Sequence, residues 1–253
     1  MAGLNRKKVF FNAVYLFFLI AFFFLIISRM DFWETFLKLI FPGEPVVIYP
    51  RANLLELLKE HVLLVLSSSG AAVIIGVLFG IFVTRPAGKE YLNIVNDISS
   101  LAQTIPPVAV LALAIPFIGF GFKPTVLALF LYSILPVIRN TISGLDSVPR
   151  ELLGAAYGMG MTRLQILLKI EIPLSLKVIM AGIRTSVVIN VGTATVGAVA
   201  GAGGLGTPII SGLVRENPAF VLEGAISAAL LAFVLDQILG KTEQSLFSTY
   251  SLD

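Results

Sequence analysis

The sequence predicts an all-α integral membrane protein, and three observations point there. Hydrophobic residues make up 57% of the 253 positions and charged residues 13%, where a soluble domain carries about 25% charged residues; the mean hydropathy is +0.95. Six apolar runs, near the ~20 residues that a helix needs to cross a bilayer, alternate with polar connections. Of the 18 Lys and Arg, 12 fall on one alternating set of connections and span ends and 6 on the other. That bias places the richer set, and both termini with it, on the cytoplasmic side. The net charge of +3 is modest, so its distribution carries more information than its size. The chain has no cysteine, which excludes disulfide frameworks, cysteine catalysis and thiolate metal sites.

Arg6, Lys7 and Lys8 precede the first apolar run, Val9 to Ile27. Its length is that of a span, and Ser28-Arg29-Met30 offers no small-residue cleavage site, so a spanning helix is expected and not a signal peptide. Residues 31–60 are polar and mixed, with an interfacial helix expected over Phe32 to Phe41 on the outer side. A helix starting at Leu54 leads into the second span, His61 to Val83, where Gly76 and Gly80 form a small-xxx-small pair suited to close packing. Thr84, Arg85, Lys89 and Glu90 mark an inner turn. The third span, Asn93 to Phe117, contains Pro106 and Pro107. Adjacent prolines break the backbone ladder, which either lines a cavity or kinks a packed helix. Gly119 to Lys123 turns outside, and Pro124 to Ile138 is the fourth span.

The fifth span, Val178 to Ala200, holds Arg184, Thr185, Ser186, Asn190, Thr193 and Thr195. So many polar groups argue for a protein-facing or water-facing surface. Arg184 is expected to snorkel to the inner surface or to pair within the bundle. Gly201 to Gly206 formally fits G-x-G-x-x-G, but the dinucleotide reading requires a preceding strand, and here a span precedes it. A tight outer turn or re-entrant backbone is expected instead. The sixth span is Phe220 to Leu239. The chain therefore divides into an N-terminal helix with its outer segment (1–53), a transmembrane domain (54–239) and a cytoplasmic tail (240–253).

Residues 146–174 form the longest interval in the second half that a bilayer would not hold. Ser147 suits an N-cap, Pro149 a first turn, and Glu151 the helix dipole. Gly158 and Gly160 are stop signals, and Thr162 with Gln165 has capping-box spacing. Leu164, Leu167 and Leu168 share one face of the second helix, with Ile170 at its edge. Pro173 ends that helix or turns it into the next. The first helix closes on Gly154, Ala155, Ala156, Gly158 and Gly160, a shape that lets a second backbone approach. A partnerless hairpin is the plainer reading. DNA binding by a helix-turn-helix conflicts with spans at both ends, so no nucleic-acid partner is expected.

The string GAA, then Gly160, then IEIP resembles the coupling-loop signature of ABC importer membrane subunits. That pattern is Glu-Ala-Ala, a glycine four residues after the second alanine, and a hydrophobic-x-hydrophobic-Pro ending. Ala155, Ala156, Gly160, Ile170, Ile172 and Pro173 match, while Gly154 stands where the family usually has glutamate. The runs LLELLKEHVLLVLSSS, IGVLFGIFVTR, LYSILPVIRNTISGL, AGIRTSVVINVGTATVGA and GAGGLG are similar to the permeases of osmoprotectant importers for glycine betaine, carnitine and choline. The resemblance covers about Leu54 to Leu239. It implies a type I ABC importer transmembrane fold in a prokaryotic plasma (inner) membrane. It also implies a second membrane subunit, identical or homologous, and an extracellular or periplasmic substrate-binding protein. Two cytosolic ATPase subunits would bind ATP and Mg, since the chain has no GxxxxGK[ST] loop. Coupling to them falls on Arg150, Glu151, Gly154, Ala155, Ala156, Gly160, Ile172 and Pro173.

For a transient pathway, neutral polar groups within the spans are the candidates: Gln103, Thr104, Asn190, Thr193 and Thr195. Phe117, Phe120 and Tyr132 offer aromatic faces to a quaternary ammonium. An intramembrane hydrolase needs a nucleophile with its base or a set of metal ligands. The single histidine is His61, and no HExxH is present, so a non-catalytic subunit is expected. An ATP-independent channel or carrier remains the alternative, and it would need no coupling hairpin.

Overall fold

The computed structural model describes residues 2–102 and 104–250, with side chains for 10–99, 101 and 104–244. Regular structure among the described residues is helical throughout. The helices are α1 (Ala2–Ser28), α2 (Met30–Ile40), α3 (Leu54–Thr84), α4 (Leu92–Ala102), α5 (Pro107–Ile118) and α6 (Phe122–Asp146). They continue with α7 (Arg150–Gly158), α8 (Arg163–Ile166), α9 (Ile172–Ala194), α10 (Gly206–Arg215) and α11 (Pro218–Tyr250).

Four of these are long and apolar enough to cross a membrane: Phe10–Ser28 within α1, α3, α6, and Pro218–Gln244 within α11. They correspond to the expected first, second, fourth and sixth spans. The fifth is α9, whose 23 residues reach about 34 Å but carry Lys177, Arg184 and Asn190. The expected third span is divided. α4 and α5 have 11 and 12 residues, and the Pro106-Pro107 pair separates them as the missing N–H groups require.

Between helices already inside lipid, apolar burial supplies little drive, and association relies on close packing and interhelical hydrogen bonds. Gly76 and Gly80 provide the first for α3 against α6. A Cβ on Gly80 would lie 2.7 Å from Thr141 Cβ, and one on Gly76 2.9 Å from Val137 Cγ1. α9 joins α6 through Ser186 Oγ, which donates to Ser133 O at 2.6 Å, and Ser175 Oγ, which donates to Gly144 O at 2.8 Å. Such bonds contribute about 0.6 kcal/mol each. Arg184 pairs within the bundle, donating from Nε and Nη2 to the two Asp236 carboxylate oxygens at 2.6 and 2.7 Å.

The N-terminal part folds back on this core. At the α1–α2 corner, Trp33 Nε1 donates to Ile26 O at 3.1 Å, and Trp33 and Leu37 turn the buried face of α2 inward. The strap 41–53 follows. Tyr49 N donates to Glu223 Oε2 at 2.8 Å, Asn217 Nδ2 donates to Val46 O at 2.8 Å, and Tyr49 packs edge-on against Phe220. Asn53 and Glu56 close a capping box at the start of α3.

Candidate functional site

The hairpin expected at 146–174 is present, and its ends are set by local chemistry. Pro149 is the N-cap of α7 and Glu151 stands in its first turn. Ser147 does not cap it, because Ser147 closes α6 and its hydroxyl donates to Gly144 O at 2.7 Å. α7 stops in two bonds: Gly160 N to Tyr157 O at 3.0 Å and Met161 N to Ala156 O at 3.1 Å. This is the Schellman arrangement. It requires a left-handed residue, and Gly160 supplies φ +79 at little steric cost. Thr162 and Gln165 form the expected capping box: Thr162 N donates to Gln165 Oε1 at 2.8 Å, and Gln165 N to Thr162 Oγ1 at 3.3 Å.

Of the two expectations for Pro173 the structure shows the second: the helix turns into the next. Leu167–Glu171 adopts a π turn and α9 continues from Ile172 with Pro173 in its first turn. A proline inside an α-helix clashes with the carbonyl four residues earlier. The wider turn gives that carbonyl room and removes the need for the missing donor. On the leucine face Leu164 and Leu168 are exposed, while Ile166 is buried.

The outer surface of the hairpin is therefore apolar and small. Leu152, Tyr157 and Met159 are exposed large side chains; Gly154 and Ala155 lie exposed between them, and Ala156 faces inward. A Cβ on Gly154 would meet nothing within 4 Å. Arg150, Glu151 and Gly160 are exposed, Ile172 and Pro173 half-buried. An interaction that the sequence did not reveal ties this end down. Arg85 Nη1 donates to Glu171 Oε2 at 2.7 Å, across 86 positions. Its one sequence signal is the carboxylate of Glu171 placed between apolar residues ahead of Pro173.

The pathway candidates do not form one cluster. Gln103 lies outside the described residues. Thr104 is exposed at the α4–α5 break, its hydroxyl donating to Leu101 O at 2.6 Å. Asn190, a pathway candidate on a span expected to face protein or water, faces protein: it is fully buried inside the subunit, where Nδ2 donates to Ser68 Oγ and Ser69 Oγ at 2.7 Å each. Its polarity serves helix packing. Thr193 and Thr195 are half-buried, and their hydroxyls donate to Ile189 O and Gly192 O of their own turns. Phe117 and Phe120 are exposed. Tyr132 lines an apolar groove of about 710 Å³ with Phe79, Phe82 and Tyr91, between α3, α4 and α6.

The glycine-rich run is a tight turn. Gly201, Gly203 and Gly204 have φ of +73, +79 and +82. Gly204 N donates to Glu60 Oε2 at 2.8 Å, and His61 beneath it sets Nε2 2.9 Å from Val191 O. No strand precedes it among the described residues, which removes the dinucleotide reading. No cluster of three His, Asp or Glu able to hold a metal occurs among the described residues.

Residues 76–247 match the family described as the binding-protein-dependent transport system inner membrane component. The chain is 42% identical over 189 residues to an osmoprotectant import permease of Salmonella typhimurium, covering 75% of this chain and 80% of that protein. It is 42% identical over 194 residues to a carnitine transport permease of Listeria monocytogenes, covering 77% and 88%. Against a glycine betaine/carnitine/choline transport system permease of Bacillus subtilis, identity is 38% over 185 residues, covering 73% and 84%. Among solved structures, a chain of the MetNI methionine ABC transporter in an inward facing conformation superposes with TM-score 0.68 at 22% identity, covering 76% of this chain and 95% of that one. At that identity the likeness speaks for the fold, a type I ABC importer transmembrane fold. With a family model spanning residues 76–247 and relatives matched over most of their length, the chain belongs to the inner membrane components of binding-protein-dependent transport systems: a multi-pass, non-catalytic permease subunit.

Proposed function

We propose that this permease forms the pathway of an ATP-driven importer for a small quaternary-amine osmoprotectant such as glycine betaine, carnitine or choline. The observation that carries the substrate class is the 38–42% identity to permeases named for those solutes. Two membrane subunits, identical or homologous, enclose the pathway. Two cytosolic ATPases bind ATP and Mg, and a binding protein delivers solute from outside. Both termini lie in the cytoplasm, in keeping with the distribution of Lys and Arg.

Each ATPase receives one hairpin. The exposed Leu152, Tyr157 and Met159 around Gly154 and Ala155 supply an apolar knuckle of the kind that fills a groove. Closure of the ATPase pair displaces α7, and the displacement reaches α9 along the chain and α3 through Arg85–Glu171. Packed helices switch between discrete arrangements, so a small shift at the hairpin becomes a change of access. Gln103, Thr104, Thr193 and Thr195 remain the candidates for the path.

The test is reconstitution with the ATPase and binding protein, followed by ATP-dependent uptake of betaine, carnitine, choline and unrelated zwitterions. Removing residues 154–160 is expected to abolish uptake and ATPase copurification while the subunit still inserts. Uptake that survived the deletion would point to an ATP-independent carrier.

A further inference from the structure

The end of the subunit opposite the hairpin carries an open pocket of about 310 Å³. Tyr49 and Arg51 of the strap, Ala198, and Thr207, Ser211 and Arg215 of α10 line it. Arg51 and Arg215 are exposed, and neither guanidinium has a hydrogen bond or ion pair among the described residues. Glu216, next to Arg215, is exposed and pairs with neither. The Thr207 hydroxyl is buried and also lacks a partner among the described residues. The pocket thus offers two cations and a hydroxyl, with no anion.

The backbone beneath it is fixed. Arg51 follows by two residues the Tyr49 N–H held by Glu223, and Arg215 precedes by two the Asn217 that holds Val46 O. The backbone that carries both arginines is thus held in place before a carboxylate arrives, and their long side chains are free to close on it.

The surroundings decide what kind of carboxylate. An exposed ion pair in water contributes at most about 1 kcal/mol, too little to retain a small free ion. Inside an interface that sheds water the same pair gains, and arginine beside apolar area is the composition of an interface anchor. That area is present: Val214, which also lines the pocket, is 80% exposed and Leu213 63%. We infer that this pocket receives an acidic side chain of the docked solute-binding protein. The inference rests on the reading that the hairpin end is cytosolic, which turns the pocket outward.

The experiment uses the permease–ATPase complex in neutral-lipid vesicles, with purified solute-loaded binding protein titrated from the outer face. In the R51Q/R215Q double variant, the binding-protein concentration for half-maximal ATPase stimulation is expected to rise about tenfold. Its dependence on ionic strength flattens, while the maximal and basal rates stay at the parent values. An unchanged half-saturation would overturn the proposal. So would a defect seen with glycine betaine but not with choline, which lacks a carboxylate, since the pocket would then touch solute. Failure of the underlying orientation has its own signature: the thiol of a Tyr157→Cys variant would react with an impermeant reagent from outside.

Discussion

The two ends of the subunit are built on opposite principles. At the hairpin end, large apolar side chains such as Met159 and Leu164 stand in solvent at 74% and 63% exposure, and one long-range ion pair, Arg85–Glu171, ties the hairpin to α3. At the other end, backbone and side-chain polar groups from distant segments satisfy one another: Glu60 with Gly204, Glu223 with Tyr49, Asn217 with Val46. The first surface is incomplete without a partner. The second is braced within the chain at these points, and the groups there that are unpaired among the described residues, Arg51, Arg215 and the Thr207 hydroxyl, stand on that brace. A subunit that passes motion from one side of a membrane to the other needs both, a movable contact at the driven end and a rigid frame at the far one.

Glycine substitutions sharpen this contrast. A Cβ on Gly206 would sit 1.9 Å from Thr195 O, a backbone atom that cannot swing away. Gly206→Ala is expected to cost on the order of 3 kcal/mol, the upper range for overpacking, read as a lower melting temperature of the purified subunit in detergent. Next comes the tie at the driven end. Arg85→Ala strands the largely buried Glu171 carboxylate and is expected to cost on the order of 2 kcal/mol. ATPase copurification should persist while solute uptake per ATP hydrolysed falls. The exchanged pair Arg85→Glu with Glu171→Arg should recover part of that ratio, and no recovery would deny the pair a role in transmission.

Gly160→Ala places a side chain at φ +79 and should cost about 1 kcal/mol, fraying the end of α7 and weakening ATPase retention. The smallest effect is expected at Gly154, where a Cβ meets nothing. Gly154→Ala should stabilise by up to about 1 kcal/mol through helix propensity. Gly154→Glu, which installs the residue usual in the family signature, should fold normally and leave ATPase binding at least as tight. A large loss of stability at Gly154, or none at Gly206, would break the contrast between the two ends.

What could be read from the sequence was local. The Thr162–Gln165 box, the stop at Gly158 and Gly160, the Pro106-Pro107 break and the Gly76/Gly80 contact each depend on residues a few positions apart or on one helix face. What escaped depends on register between distant segments. Asn190 is polar enough for a pathway, but the rotation of α9 points it at Ser68 and Ser69 instead. Ser147 has the chemistry of a cap and is captured by the preceding helix. Pro173 left open whether the helix stops or runs on, and the π turn ahead of it decides for the second. The exposure of Leu164 and Leu168 was hidden because periodicity shows which residues share a face, not which way the face points.

Asn217 performs two tasks with one amide. Its oxygen accepts from Phe220 N at 3.1 Å and caps α11, while its nitrogen grips Val46 O. Aspartate at this position would retain the acceptor and drop the donor, so the N-terminal extension could be unbuttoned without unravelling the helix. The matched family region begins at residue 76, and the segment ahead of it is clasped to that region at such points. Losing the Asn217 amide and the Glu223 carboxylate together would remove both side-chain hydrogen bonds that hold the strap 41–53 to the matched region.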